Sequence, residues 1–272
     1  MILPLVTPRR DLRGYAICLS GIAAREFLRF LHQKERFFSA LVRPLVWLFI
    51  FAAGLRATLA VSIIPPYITT IPYEVYVLPG LAAMVQLFNG MQSSLSMVYD
   101  REVGSMRVLL ASPFPRWSLL LAKLVAGVIV SLAQVYVFLL IARLCGIEAP
   151  ALGYVCALPA FILVGLMLGA IGLFLSSVVR QLENFASIMN FVIFPMFFAS
   201  SGLYPLRQLR QSSEALYIVS LINPFTHAVE LIRFALYISL DSVALAACLA
   251  TTVLFFALSA WAYDPARAIL RQ

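Results

Sequence analysis

The sequence predicts an all-α polytopic membrane protein with six transmembrane helices and both termini in the cytoplasm. Three observations carry that prediction. Of 272 residues, 62% are hydrophobic and only 12% charged, about half the ~25% usual for a soluble domain. Mean hydropathy is +0.96, and a water-soluble globule of this length keeps too much surface in water to hide so many apolar side chains. The apolar residues also fall in continuous runs close to the ~20 residues a helical span needs. A membrane β-barrel would instead show ~10-residue alternation, and backbone groups in lipid are best satisfied within a single helical segment. The same composition excludes a disordered chain.

The predicted spans are 44–64, 77–98, 119–144, 152–178, 186–203 and 242–262. An even count puts both ends on one side of the membrane. With that layout, fifteen of the 20 Lys and Arg residues fall on the side of the termini, which the positive-inside tendency makes cytoplasmic. Trp47, Trp117 and Trp261 then sit at cytoplasmic ends of spans, and Tyr76, Tyr154 and Tyr204 at the opposite ends, as expected of interfacial aromatics. The first apolar span starts behind a long basic leader and exceeds a signal-peptide core, so no cleavable signal is expected. The net charge of +8 reads as topology and contact with anionic lipid rather than nucleic-acid binding. The cysteines form no CxxC pair. Cys145 and Cys156 could meet across a short loop, but membrane cysteines are usually small apolar residues.

Residues 15–38 form a first element outside the spans. Arg25, Arg29, His32 and Arg36 share one helical stripe, opposite Leu19, Ile22, Phe27 and Phe30. This predicts an interfacial amphipathic helix on the inner leaflet. It either anchors the chain or senses a cytoplasmic partner. The loop 99–117, YDREVGSMRVLLASPFPRW, is the longest interior cytoplasmic loop. Asp100, Arg101, Glu102 and Arg107 beside Val103, Met106, Leu109 and Leu110 predict a short amphipathic helix stopped by Pro113 and Pro115. It is either a solvated turn or a docking helix for a soluble protein. The stretch 204–240 holds two apolar segments, 214–222 and 225–238, each too short to span. Asn223 as N-cap and Pro224 at the first helical position mark the start of the second. Together they predict an outer re-entrant or interfacial hairpin. Glu230 and Arg233 can pair at i,i+3, with His227 one turn earlier. Ala122 with Ala126, and Gly165 with Gly169 and Gly172, have the spacing of close helix packing.

Missing motifs narrow the function. No Lys follows a Gly-rich loop, so no P-loop is present and ATP is not hydrolysed here by that route. No HExxH, no metal-spaced His–carboxylate cluster and no GxSxG elbow occurs. The spans carry essentially no Asp or Glu, unlike most ion-coupled carriers. They do carry neutral polar faces. Gln86, Asn89, Ser93 and Ser96 share one face of the second span, and Asn184, Ser187 and Asn190 one face of the fifth. Such groups are costly in lipid unless paired or facing a polar cavity. They serve interhelical hydrogen bonding or the lining of a path at a dimer interface. Arg56 lies in an apolar run about 20 Å along the helix from Arg43, where snorkelling to the boundary accounts for it.

Residues 99–124, YDREVGSMRVLLASPFPRWSLLLAKL, resemble the loop of ABC type-2 transport permeases, the six-span membrane subunits of exporters driven by a separate ATPase. The resemblance rests on Asp100, Arg101 and Glu102, then Gly104 and Ser105, Leu109 and Leu110, Pro113 and Lys123. Ser105 stands where Thr is commoner. Residues 25–51, 76–84 and 223–237 resemble the family's connecting helix, second-span entry and outer hairpin, so the likeness covers nearly the whole chain in order. It implies a permease acting as a pair, identical or paralogous, with two ATP-binding-cassette subunits that carry ATP and Mg. This chain itself would hold no cofactor. The loop helix would sit in a groove of each ATPase with the interfacial helix beside it, and spans 2 and 5 would line a path between copies. A bacterial inner membrane is implied as the location. The competing readings are a stand-alone carrier or channel, and a polytopic lipid-modifying enzyme.

Overall fold

The computed structural model of the chain describes residues 14, 17, 20–22, 24, 25, 28, 41–50, 60–61, 65–67, 69–102, 115–179 and 181–263. Among these the chain is mostly helical. Helix α1 covers Leu41–Ile50. Two short strands follow, β1 (Ala60–Val61) and β2 (Ile71–Pro72), paired antiparallel with Val61 opposite Ile71. The expectation that span 1 stays helical to residue 64 is therefore corrected. The chain is extended by 60–61, where its backbone groups pair with β2 instead of continuing a helical ladder.

Helix α2 (Tyr73–Glu102) is longer than the predicted span. At 1.5 Å per residue its 30 residues reach about 45 Å. Tyr99, Asp100, Arg101 and Glu102, expected to open a separate loop helix, are its last turn, because no Gly or Pro interrupts the run from Met91. Helix α3 covers Arg116–Leu144. The fourth predicted span divides at Ala157 into α4 (Ala151–Cys156) and α5 (Leu158–Val178), with Pro159 in the first turn of α5, where a missing N–H costs nothing. Helix α6 (Leu182–Phe198) starts earlier and ends earlier than expected. The 204–240 stretch holds α7 (Leu206–Ser212), α8 (Glu214–Ile222) and α9 (Pro224–Leu236). Helix α10 (Ser242–Ala262) is capped by Asp241, whose Oδ1 accepts from Val243 N at 2.9 Å and Ala244 N at 3.2 Å.

Among the described residues, three stretches are long and apolar enough to cross a membrane: Trp117–Leu144, Ala151–Val178 and Ser242–Ala262. The pair α8–α9, bent by 76°, makes a fourth if taken as one span. Helix α2 has the length, but its amides and hydroxyls leave it less apolar. It is instead buried on nearly every side.

Helix α5 is the packing centre, with α2, α3 and α10 against it, while α6 and α9 lie against α2. Small residues permit the closest crossing. A Cβ on Gly90 would lie 3.0 Å from Gly169 N, and one on Gly172 would lie 2.5 Å from Ser94 Oγ and 2.9 Å from Gly90 O. Backbones so near exchange dispersion contacts that larger side chains would forbid. Cys145 and Cys156 are free thiols, both exposed, so no disulfide joins them.

Candidate functional site

The loop end of α2 carries the first candidate residues. Asp100 is buried, and its Oδ2 accepts from Lys123 Nζ of α3 at 2.5 Å. A carboxylate expected to meet a cytoplasmic partner is thus turned inward, since a Lys near the start of an apolar helix needs an anion beside it. Glu102 is exposed. Its Oε1 accepts from Leu182 N at 2.8 Å, the first N–H of α6. Gln181 at the N-cap makes no such bond itself, so one free donor of α6 is met by a carboxylate from α2. The charge also suits the positive end of the helix dipole. Gly104, Ser105, Arg107, Leu109 and Leu110 lie outside the described residues. So do Arg29, His32, Arg36 and Arg56. Arg101 is placed only by its helical backbone, and Arg25 is helical and exposed.

The polar face of α2 points into the subunit. Gln86 Nε2 donates to Phe161 O at 2.8 Å and to Ser131 Oγ at 3.2 Å. Asn89 Nδ2 donates to Gln134 Oε1. Ser96 Oγ donates to Ser93 O at 2.6 Å, and Ser93 faces Gly127, where a Cβ would come within 2.9 Å of its Oγ. The expectation that this face lines a path between copies is corrected for Gln86 and Asn89. Both are buried and spent on bonds between α2, α3 and α5, which is how amides become tolerable in an apolar surrounding. A cavity of about 20 Å³ remains among Gln86, Ser93, Ser94, Lys123 and Ser131. It has room for a water, not for cargo.

Helix α6 behaves oppositely. Asn184, Ser187 and Asn190 are all exposed, on the side that also carries Phe191, 79% exposed, with Phe194 and Phe198. Asn184 Nδ2 donates to Gln181 Oε1 at 2.7 Å, and Ser187 Oγ to Glu183 O at 3.4 Å. Trp47 packs against Phe198 at the far end of this face, while Asn184, Ser187 and Asn190 stay exposed, so the two neutral polar faces read from the sequence have different surroundings.

The hairpin is stitched to the bundle by Asn223. Its Oδ1 accepts from Phe225 N at 3.0 Å, capping α9, and its Nδ2 donates to Met196 O and Ala199 O, both at 2.7 Å. Pro224 occupies the first helical position. Glu230 and Arg233 pair, whereas His227 turns away to Leu221 O at 3.0 Å. Arg233 is fully buried, donates to Ser201 O at 2.9 Å, and lies 4.2 Å from the centre of the Tyr76 ring. Tyr76 Oη donates to the same Ser201 carbonyl at 2.9 Å. Tyr67 closes the cluster against Tyr76 and Tyr237. Burial pushes its phenol up to about 12, against a smaller lowering by Arg233, so the ring stays neutral beside the guanidinium.

Sequence reasoning missed Ser131 and Gln134 as partners of the α2 face, although their i,i+3 spacing on an apolar span was a usable signal. Tyr76 and Ser201 around Arg233 had none, because they come from distant segments.

Comparison with known proteins addresses the whole arrangement. Residues 19–237 match the family model described as ABC-2 type transporter. The chain is 26% identical over 220 residues to "Putative transport permease ycf38" of Cyanophora paradoxa, covering 78% of this chain and 72% of that one. The Porphyra purpurea protein of the same name is 24% identical over 219 residues, 79% of this chain and 72% of that one. "Probable multidrug ABC transporter permease YbhR" of Escherichia coli (strain K12) is 28% identical over 173 residues, covering 61% of this chain and 45% of that one. A match across this much of the chain, on a fold of apolar helices packed around α5, is decisive: the chain belongs to the ABC-2 type transporter family, as a multi-pass membrane permease subunit and not itself an enzyme.

Proposed function

We propose that the chain is the permease of an exporter, in which two copies, identical or paralogous, join two ATP-binding-cassette subunits. ATP and Mg bind on those partners and hydrolysis occurs there. In this reading the six spans cross a bacterial inner membrane, with the termini and the 99–117 loop in the cytoplasm. Residues 204–240 form a re-entrant hairpin on the far side.

The observation that carries the reading is the base of the loop. Asp100 binds Lys123 at the start of α3, and Glu102 binds the first N–H of α6. Any displacement of the loop is therefore delivered to two helices at once. Arg101, Gly104, Ser105, Arg107, Leu109 and Leu110 supply the contacts to the ATPase. The helix with Arg25, Arg29, His32 and Arg36 packs beside them. Closure of the ATPases around ATP favours one packing of the spans over another, the differential contact such a switch requires. The path opens between copies along Asn184, Ser187 and Asn190, whose exposure supports that role.

A substrate-independent test uses the complex with its co-expressed ATPase in proteoliposomes. Spin labels at Asn190→Cys, in a chain whose other cysteines are replaced, report the distance between the two copies. ATP with vanadate is expected to shift it by several ångströms in the parent, and not in Glu102→Arg. The same shift in Glu102→Arg, or a shift without the ATPase, overturns the reading.

A further inference from the structure

Where α5 begins and α9 ends, the helices leave a groove of about 370 Å³. Ala160 and Leu163 of α5 form one wall, Leu231 and Ala235 of α9 the floor, and Leu245 of α10 the other wall, with Ile238 at the mouth. The volume falls in the range of small-molecule sites, and the lining is almost wholly apolar.

The groove is built rather than left over. Helix α4 crosses the end of α9 so closely that a Cβ on Gly153 would lie 1.8 Å from Leu236 O. Helix α4 runs on into α5 through Ala157, whose carbonyl accepts from Phe161 N at 2.9 Å, so the groove lies where the end of α9 meets this continuous span. Ile238 gives a second, independent observation. Helix α9 ends in a Schellman turn, with Ser239 N donating to Phe234 O at 2.9 Å and Ile238 N to Ala235 O at 3.1 Å. The residue between adopts φ 58°, a conformation where Gly is usual and a β-branched side chain is an outlier. A strained Ile thus stands, 55% exposed, at the rim of an apolar groove, and such strain gathers at functional positions.

The surface around the groove identifies its occupant. Both long walls belong to helices able to cross a membrane, and only 17% of the most apolar stretch of α10 is buried. Leu240 and Val243 beside the mouth are 66% and 68% exposed. The groove is therefore continuous with the lipid-facing surface, while Ser239 marks its polar end, two residues before the α10 cap Asp241.

We propose that the groove holds the acyl chain of a bilayer lipid, with the headgroup at the Ser239–Asp241 end. This goes beyond the ATPase-driven reading and needs only that the chain sits in a membrane. The test is photo-crosslinking in proteoliposomes containing a phosphatidylethanolamine with a diazirine in its acyl chain, without nucleotide or ATPase. Peptides are then mapped by mass spectrometry. Adducts are expected on the floor residues Leu231 and Ala235, which are nearly inaccessible from a flat lipid surface. Ala160→Leu, which fills the groove, should lower that yield at least tenfold, with adducts at Val253 on the open face of α10 unchanged. Ile238→Gly keeps the turn but removes the rim, and should lower floor adducts at least threefold. Floor adducts absent in the parent, or unchanged in both variants, overturn the proposal. So do floor residues cross-linking to a second copy instead of lipid.

Discussion

Removing Lys123 from its pair with Asp100 is the sharpest perturbation the structure offers. The two side chains are 7% and 5% exposed and meet at 2.5 Å, so neither charge is screened by water. Truncating one partner of such a pair typically costs about 3–5 kcal/mol, because the other is left as a buried charge without its counter-ion. Replacing both with apolar residues is often neutral. We therefore expect Lys123→Ala to lower the thermal midpoint of the purified protein by roughly 6–20 °C, at about 2–4 °C per kcal/mol for a chain of this size. Asp100→Ala should fall in the same range, and Asp100→Leu with Lys123→Leu within about 4 °C of the parent. The double-mutant cycle isolates the pair term. A loss below about 2 °C in both single variants, or a double variant as weak as the sum of its singles, would refute the reasoning. The first outcome means that water or a further partner compensates the charge left behind, the second that the residues act separately.

Three further outcomes are expected. Gly153→Ala forces a Cβ to 1.8 Å from Leu236 O, so α4 and α9 must separate, at a cost of about 1–3 kcal/mol seen as a lower thermal midpoint. Ile238→Gly relieves a left-handed cost of about 1–2 kcal/mol against roughly 0.5–1 kcal/mol of added chain entropy, and should leave the midpoint equal or slightly raised. A fall of several degrees would mean that packing of the isoleucine side chain outweighs the strain. Arg233→Met strips the buried guanidinium from Glu230, Ser201 and Tyr76, and should cost about 3–5 kcal/mol. Arg233→Lys should restore only part of this, because an ammonium does not reproduce a planar fork lying on a ring, and equal midpoints for Lys and Arg would refute that account.

Helix termini were readable where a side chain announces them. Asn223–Pro224 sits where α9 begins, since capping is a local interaction between a side chain and the N–H groups just after it. Span 1 was misread because an apolar run does not reveal where a chain turns extended to pair with Ile71–Pro72. The polar faces of α2 and α6 look alike in sequence, being periodic, neutral and amide-bearing. Periodicity says that such residues share a side but not what lies opposite. Ser131, Gln134 and the carbonyl of Phe161 lie over one face, while the other is left open. Asp100 was misjudged for the same reason: its partner comes from the next helix, beyond a stretch that local patterning cannot bridge.

That difference between the two faces bears on how the proposed switch would move. Helices α2, α3 and α5 share buried amide bonds, an ion pair and glycine contacts, so sliding one past another would strand several polar groups in an apolar interior at about 1–3 kcal/mol each. They are expected to move as a block. Among the described residues, helix α6 makes no buried amide bond to that block. Its ties to α2 are apolar side chains and the bond from Glu102 to Leu182 N, and its far end is held by Asn223 at the hairpin. Apolar contacts tolerate sliding because they are non-directional. The least costly motion therefore pivots α6 between Glu102 and Asn223, changing what its open face of Asn184, Ser187 and Asn190 meets while the three-helix block keeps its hydrogen bonds.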